Sequence, residues 1–172
     1  MASAIEFLRR EQEPDGSWFG RWGTNYIYGT WSVLAALNAA GVSHDSPEIR
    51  RAVAWLLSRQ RDDGGWGETG ASYGDAPHSA APFSTASQTA WALLGLMAAG
   101  EAAHPAVERG IAYLVERQQA DGTWDEPWYT AVGFPRVFYL RYHGYRAYFP
   151  LWALARYRRL SQANSPRVAF GI

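Results

Sequence analysis

Apolar residues recur along the chain in two kinds of stretch that take turns. One kind is amphipathic. After Ser46-Pro47, Ile49, Val53, Leu56, Leu57 and Gln60 fall on one face at i, i+4, i+7, i+8 and i+11, with Arg50, Arg51 and Arg59 on the other side. Val107, Ile111, Leu114, Val115 and Gln118 take the same places in a stretch that Pro105 opens. Residues 3–12 read as a shorter helix of this kind, with Ile5 and Leu8 turned inward. The other kind is apolar on every side: Thr30 to Ala40, closed by Gly41, and residues 85–99, closed by Gly100. A third helix of this inner type is expected from about Pro150 to Leu160. No charge occurs between Arg21 and Asp45, a length that a membrane span could use. Asn25, Gly29, Thr30, Ser32 and Asn38 within it favour a helix buried in protein instead.

Where an outer stretch ends, one phrase returns three times. Its copies are Phe7-Leu8, Gln12 and Asp15-Gly16-Ser17-Trp18; Trp55-Leu56, Gln60 and Asp63-Gly64-Gly65-Trp66; and Tyr113-Leu114, Gln118 and Asp121-Gly122-Thr123-Trp124. In each copy an aromatic precedes the Gln by five positions and a Trp follows it by six, and the copies are 48 and 58 residues apart. A fixed internal spacing at a long period is the mark of a repeated supersecondary unit. The Gly two places before Trp supplies a sharp turn after a helix, whose last carbonyls need partners. Gln12, Trp18, Gln60, Trp66, Gln118 and Trp124 are therefore read as structural residues.

This triplet resembles the QW repeats of the triterpene cyclases, the squalene–hopene and oxidosqualene cyclase family. Residues Gly16 through Thr30, and Gly133-Phe134-Pro135 through Arg146, look like the C-terminal region of the bacterial members, and the likeness covers about residues 4–160. Family members are several times longer. With the alternation of outer and inner helices, the expectation is an all-α chain: three helical hairpins over residues 1–160, half of a six-hairpin α–α toroid, then a loose tail over 161–172. A half-ring exposes the apolar sides of its terminal inner helices, so closure by a second copy or by a missing N-terminal half is expected.

Composition narrows the chemistry. The 172 residues hold nine Trp and ten Tyr, which calls for a large core, a cavity or a partner. Formal charge is zero, so no nucleic-acid footprint is visible, and with no Cys there is neither a disulfide nor a thiolate metal site. Residues 1–14 are charged throughout, unlike a secretory leader.

Between Trp124 and Pro150 lies the densest aromatic run. Phe134, Phe138, Tyr142, Tyr145 and Phe149 are spaced 4, 4, 3 and 4, which on a helix opened by Pro135 and interrupted by Pro150 would form one stripe. The bland reading of such a stripe is ordinary core. The resemblance implies more: the positions of Phe134, Phe138, Tyr142 and Tyr145, and of Trp22 and Tyr28 from the first loop, line or flank the cavity in which a polyene such as squalene is cyclised. Aromatic faces stabilise a migrating carbocation without attacking it as nucleophiles or bringing water. Phe138 is the first candidate for a cation-facing ring, then Phe134 and Trp22, while Tyr28 would act through its hydroxyl behind the acid.

The family's protonating acid sits in an Asp-x-Asp-Asp stretch, and no such stretch occurs here. Asp62-Asp63, Asp15 and Asp121 read as turn signals. The implied function is thus the cavity-lining part of a class II cyclase, inactive alone, and the alternative is a non-catalytic half-barrel fragment that self-assembles. A squalene-like polyprenoid is the implied ligand. No cofactor is implied, and a cytoplasmic place with possible contact to the inner-membrane surface follows from the resemblance. His44, His78, His104 and His143 show no ligand spacing. Glu68 with Asp75, or Asp125 with Glu126, are remote candidates for a glycosidase acid pair. Loop 61–83 is long enough to suggest a role of its own.

Overall fold

A computed structural model describes residues 1–74 and 81–163. In chain order they form α1 (Ala2–Arg10), α2 (Tyr26–Ala39), α3 (Pro47–Ser58), a 3-10 turn (Gly70–Tyr73), α4 (Ala86–Ala98), α5 (Pro105–Glu116), strands β1 (Ala131–Phe134) and β2 (Phe138–Leu140), and α6 (Tyr145–Gln162). Outer helices α1, α3 and α5 alternate with inner helices α2, α4 and α6, the order expected for an arc of an α–α toroid. The middle inner helix, α4, packs against α2, α6 and α5, and each of its residues is buried. No helix among the described residues is long and apolar enough to cross a membrane.

Local chemistry sets the helix ends. Pro47 and Pro105 open α3 and α5, where a missing N–H costs nothing. The Thr85 hydroxyl accepts the Gln88 N–H at 3.2 Å to start α4. Inner helices stop at Gly41 and Gly100, with φ of +75° and +85°. There the N–H of Val42 returns to Leu37 O and that of Glu101 to Leu96 O, each at 3.0 Å.

The threefold phrase is a clasp. Trp18, Trp66 and Trp124 donate their indole N–H to the carbonyls of Leu8, Leu56 and Leu114 at 2.7, 2.8 and 2.8 Å, closing α1, α3 and α5. Asp15, Asp63 and Asp121 accept the N–H two residues on at 3.1, 3.0 and 2.9 Å, the side-chain turn expected of them. Gly16, Gly64 and Gly122 supply the left-handed φ between. Gln12 then bonds Gly16 O at 2.9 Å and Glu48 O at 2.8 Å, and Gln60 bonds Gly64 O at 2.9 Å and Ala106 O at 2.8 Å. Each of these amides ties one clasp to the first turn of the following outer helix.

Four expectations are corrected. The aromatic run is not helical over 134–144: Ala131–Phe134 pairs antiparallel with Phe138–Leu140, Phe134 opposite Phe138. Val137 N–H returns to Phe134 O at 3.0 Å across Pro135 and Arg136, and Arg136 takes φ +67°. That is a turn with Pro at its second place and a positive φ at its third, and it overrides the helical spacing. Next, α6 begins at Tyr145 and runs through Pro150, which forgoes one intrahelical bond near the start. Tyr28 lies in α2, which starts four residues earlier than the apolar run suggested. Val115 is 57% exposed and does not share the buried face with Val107 and Leu114. The tail beyond Ala163, and Asp75 and His78 within loop 61–83, lie outside the described residues.

Candidate functional site

Trp22 is carried on a backbone strand laid beside β1. Thr24 N–H donates to Thr130 O at 2.9 Å, Val132 N–H donates to Trp22 O at 3.1 Å, and Gly23 pairs with Ala131. Tyr73 holds this segment from behind, its hydroxyl 2.8 Å from Gly23 O and also facing Gly20 O, so one hydrogen serves both. Gly29 allows the preceding loop to lie on α2, since a Cβ there would stand 2.2 Å from Trp18 O. The hairpin adds Phe134 and Phe138, with ring centroids 5.6 Å apart. Gly133 makes room for that pair: a Cβ would stand 2.0 Å from the Phe138 ring.

A second group forms on the inner helices. Tyr28 meets Trp31 and Trp91 edge-on at 5.5 and 5.0 Å, Trp91 meets Tyr145 at 5.8 Å, and Tyr145 meets Phe149 and Tyr142 at 5.0 Å each. The structure thus gathers Tyr28, Tyr142 and Tyr145 around Trp31, Trp91 and Phe149, and pairs Phe134 with Phe138. Among the described residues no ring contact joins the pair, or Trp22, to the larger group. Trp22, Phe134, Phe138 and Tyr142 are 54, 52, 43 and 50% exposed, and the Arg21 guanidinium stands over the Trp22 ring, 5.2 Å from its centroid. Burial pushes the Tyr28 and Tyr145 phenols above their ordinary range, which keeps them neutral. A neutral phenol can donate a hydrogen bond or turn its face to a cation, but it is a weak nucleophile.

Two carboxylates that the sequence offered as acids are spent on scaffolding. Glu68 accepts the N–H groups of Asn25, Tyr26 and Ile27 at 3.1, 3.1 and 3.0 Å, at the amino end of α2. Glu126 accepts the N–H and hydroxyl of Ser87 at 2.8 Å each, at the amino end of α4. A helix start presents unpaired N–H groups and partial positive charge, which suits an anion. Burial still prevails over these donors and raises both carboxyls above the ordinary value of 4.5. Gln88 completes the frame, donating to Thr24 O and Glu68 O at 2.9 Å each. Asp125, exposed, pairs with Arg146 at 3.8 Å. Each of the two glutamates lies two places after the repeat Trp, a regularity legible as Trp66-Gly67-Glu68 and Trp124-Asp125-Glu126. The first repeat carries Gly20 there instead.

His104 caps α5 by accepting the Ala106 N–H at 3.1 Å, and His44 bonds Asn38 at 3.1 Å. A cleft of about 450 Å³ lies between Ile27, Trp55, Gln60, Arg61 and Glu68, and it contains none of the exposed rings. The aromatic surface is a wall without a roof. Glu68 and Glu126 face helix ends and not this surface.

The chain matches the family described as squalene-hopene cyclase C-terminal domain over residues 1–159. It is 62% identical over 173 residues to the squalene–hopene cyclase of Bradyrhizobium diazoefficiens, with 100% of this chain and 26% of that protein covered. Against the squalene–hopene cyclase of Alicyclobacillus acidocaldarius the identity is 54% over 156 residues, covering 91% of this chain and 25% of that one. A solved structure of a variant type II terpene cyclase, MstE from Scytonema, in complex with geranylgeranyl dihydroxybenzoate as substrate, is similar with a TM-score of 0.58 and 27% identity. It covers 78% of this chain and 36% of that one. The chain spans about a quarter of the length of these curated relatives.

Proposed function

Since the chain belongs to the squalene-hopene cyclase C-terminal domain family, we propose that it forms part of the cavity wall of a class II triterpene cyclase. Its half-exposed rings at Trp22, Phe134, Phe138 and Tyr142 would face the carbocations of a polyprenoid such as squalene as rings close. Each desolvated face is worth about 0.5–2 kcal/mol to a cation. Trp22 lies on backbone anchored by Thr24–Thr130, Trp22–Val132 and Tyr73–Gly23 bonds, and Phe134 and Phe138 on the hairpin paired beside it, so these three rings are held before any charge develops. That anchored, uncovered aromatic wall is the observation that carries the reading. The chain holds no Asp-x-Asp-Asp stretch, so the initiating proton comes from elsewhere in the working enzyme, and the isolated chain is inactive. A cytoplasmic place at the inner-membrane surface goes with an apolar polyprenoid as substrate.

The test is a chimera in which this chain replaces the matching quarter of the Bradyrhizobium cyclase. The chimera should convert squalene to cyclised product, and Phe138→Ala should lower kcat by about tenfold, the loss of one cation-facing ring. A folded chimera that yields no cyclised product sinks the proposal.

A second reading, a non-catalytic half-ring that closes on a second copy, draws on α6, where Tyr148 and Leu151 are largely exposed. Light scattering on the isolated chain, 19.2 kDa per copy, separates the two. A single-chain mass removes the self-closing reading.

A further inference from the structure

The 3-10 turn Gly70–Tyr73, inside loop 61–83, touches both segments that carry exposed rings. Toward the Trp22 strand it offers the Tyr73 hydroxyl, which donates to Gly23 O at 2.8 Å and faces Gly20 O. The Tyr73 ring also meets Phe19 edge-on at 5.5 Å. Toward the hairpin the turn offers two carbonyls. Gly70 O accepts the Tyr139 hydroxyl at 3.1 Å, and Tyr73 O accepts the Arg136 Nε–H. The fit is close, since a Cβ on Gly70 would stand 2.6 Å from the Tyr139 ring. Tyr73 thus binds the strand through its side chain and the hairpin through its backbone. The turn has its own supports. The Thr69 hydroxyl accepts the Ala71 N–H at 3.3 Å, the Ser72 hydroxyl donates to Thr69 O at 2.8 Å, and Glu68 is pinned to the start of α2.

We propose that Arg136 is a positioning residue for cyclisation, and that the turn through which it acts sets the spacing between Trp22 and the Phe134–Phe138 pair. This rests on the cavity-wall reading. A ring stabilises a cation only within about 6 Å of its centroid, so rings on separate segments can serve successive cations only if those segments keep their distance. The Thr24–Thr130 and Trp22–Val132 bonds fix the strand to the root of the hairpin. Phe134 and Phe138 lie further out, past the irregular register between Val132 and Phe134. There Tyr139 and Arg136 tie the hairpin to the turn. Arg136 holds φ +67°, a state that strains any side chain and that Gly would take freely. A strained residue whose side chain spans to another segment points to a role for that span. Without it the tip drifts, and an intermediate cation left without a facing ring gives up a proton to water. The product is then an alkene with fewer rings.

Two substitutions separate the tie from the turn. Arg136→Gly removes the bond and suits the positive φ, so the hairpin is kept, while Arg136→Lys returns a donor to Tyr73 O. In the chimera with the Bradyrhizobium cyclase, Arg136→Gly should lower kcat about tenfold, leave KM within about twofold and raise the share of partially cyclised product. Arg136→Lys should recover most of the rate. Combined with Tyr73→Phe, the loss should fall short of the product of the two single losses, because both ties act through one turn. In the isolated chain Arg136→Gly should raise amide deuterium uptake over residues 70–74 about fivefold, the worth of one hydrogen bond. Uptake needs no catalysis: if it rises while the unsubstituted chimera makes no cyclised product, the cavity-wall reading falls and the tie stands. An active chimera in which Arg136→Gly keeps its rate and product ratio overturns the proposal. Losses that multiply with those of Tyr73→Phe, or unchanged uptake, do the same.

Discussion

The indole N–H of Trp66 donates to the carbonyl of Leu56 at 2.8 Å, and both groups are buried. The bond spans ten residues, so it locks the end of α3 to the turn that leaves it. Water cannot replace it.

Trp66→Phe should therefore cost about 2–4 kcal/mol, from a buried carbonyl left short of a partner and a cavity where the larger ring stood. Trp22→Phe, on an exposed ring, should stay within about 0.5 kcal/mol. Urea unfolding of both variants gives the comparison, and equal losses would deny the Trp66 bond its role.

The three glutamines make the same argument in a graded form. Gln60→Ala removes two amide bonds and the Arg109 contact, whereas Gln118→Ala removes one exposed bond. In the isolated chain the first should destabilise by about 1–2 kcal/mol more than the second. Matching melting temperatures for the two variants would count against the clasp.

The clasp was legible because its chemistry is local. Asp, Gly, Gln and Trp lie within ten residues of one another, and turn propensity and helix-end bonding act over that range. Two other features were hidden for opposite reasons. Phe134, Phe138, Tyr142 and Tyr145 keep a helical spacing by coincidence, while Pro135 and Arg136 close a turn between two short strands. The roles of Glu68 and Tyr73 depend on partners some 40 to 50 residues upstream in the chain, which periodicity cannot see.

Acidity offers a separate test. Glu68 and Glu126 titrate above the ordinary 4.5 because burial disfavours their charge. With native values raised, the folded state holds protons that the unfolded state releases. Their contribution is full below about 4.5 and is lost as pH rises through the raised native values. Glu48 and Asp121 run the other way. In Glu48 burial opposes the shift but the Arg9 bond prevails, and in Asp121 the Thr123 N–H leads, so both sit below their ordinary range. Their contribution is present above the ordinary values and lost as pH falls through the lowered ones. Melting temperature should thus peak in mild acid. Glu68→Gln should lower the whole curve and flatten its decline on the alkaline side; an unchanged slope would remove Glu68 from this account.

Tyr73 positions the Trp22 segment through a single shared hydrogen. Tyr73→Phe should cost about 1–2 kcal/mol and raise amide deuterium uptake over residues 20–24, with the α5 segment unaffected. In the chimera the same change should lower kcat more than it raises KM, because the ring is displaced and not removed. Uptake confined to other segments would show that Tyr73 fills space and does not hold the loop.

The burial of α4 along its whole length has a consequence for how such a chain can diverge. A helix with one wet face offers positions where charge can be tried at small expense. Ala86–Ala98 offers none, and its Ser87, Gln88 and Thr89 are already committed to Glu126, Glu68 and Trp66. Any drift in α4 must conserve volume and polarity together, with neighbours on α2, α3, α5 and α6 adjusting in step. Substitutions are therefore accommodated more readily on the segments that α4 supports, the Trp22 strand and the β hairpin, while the helix beneath them keeps its text.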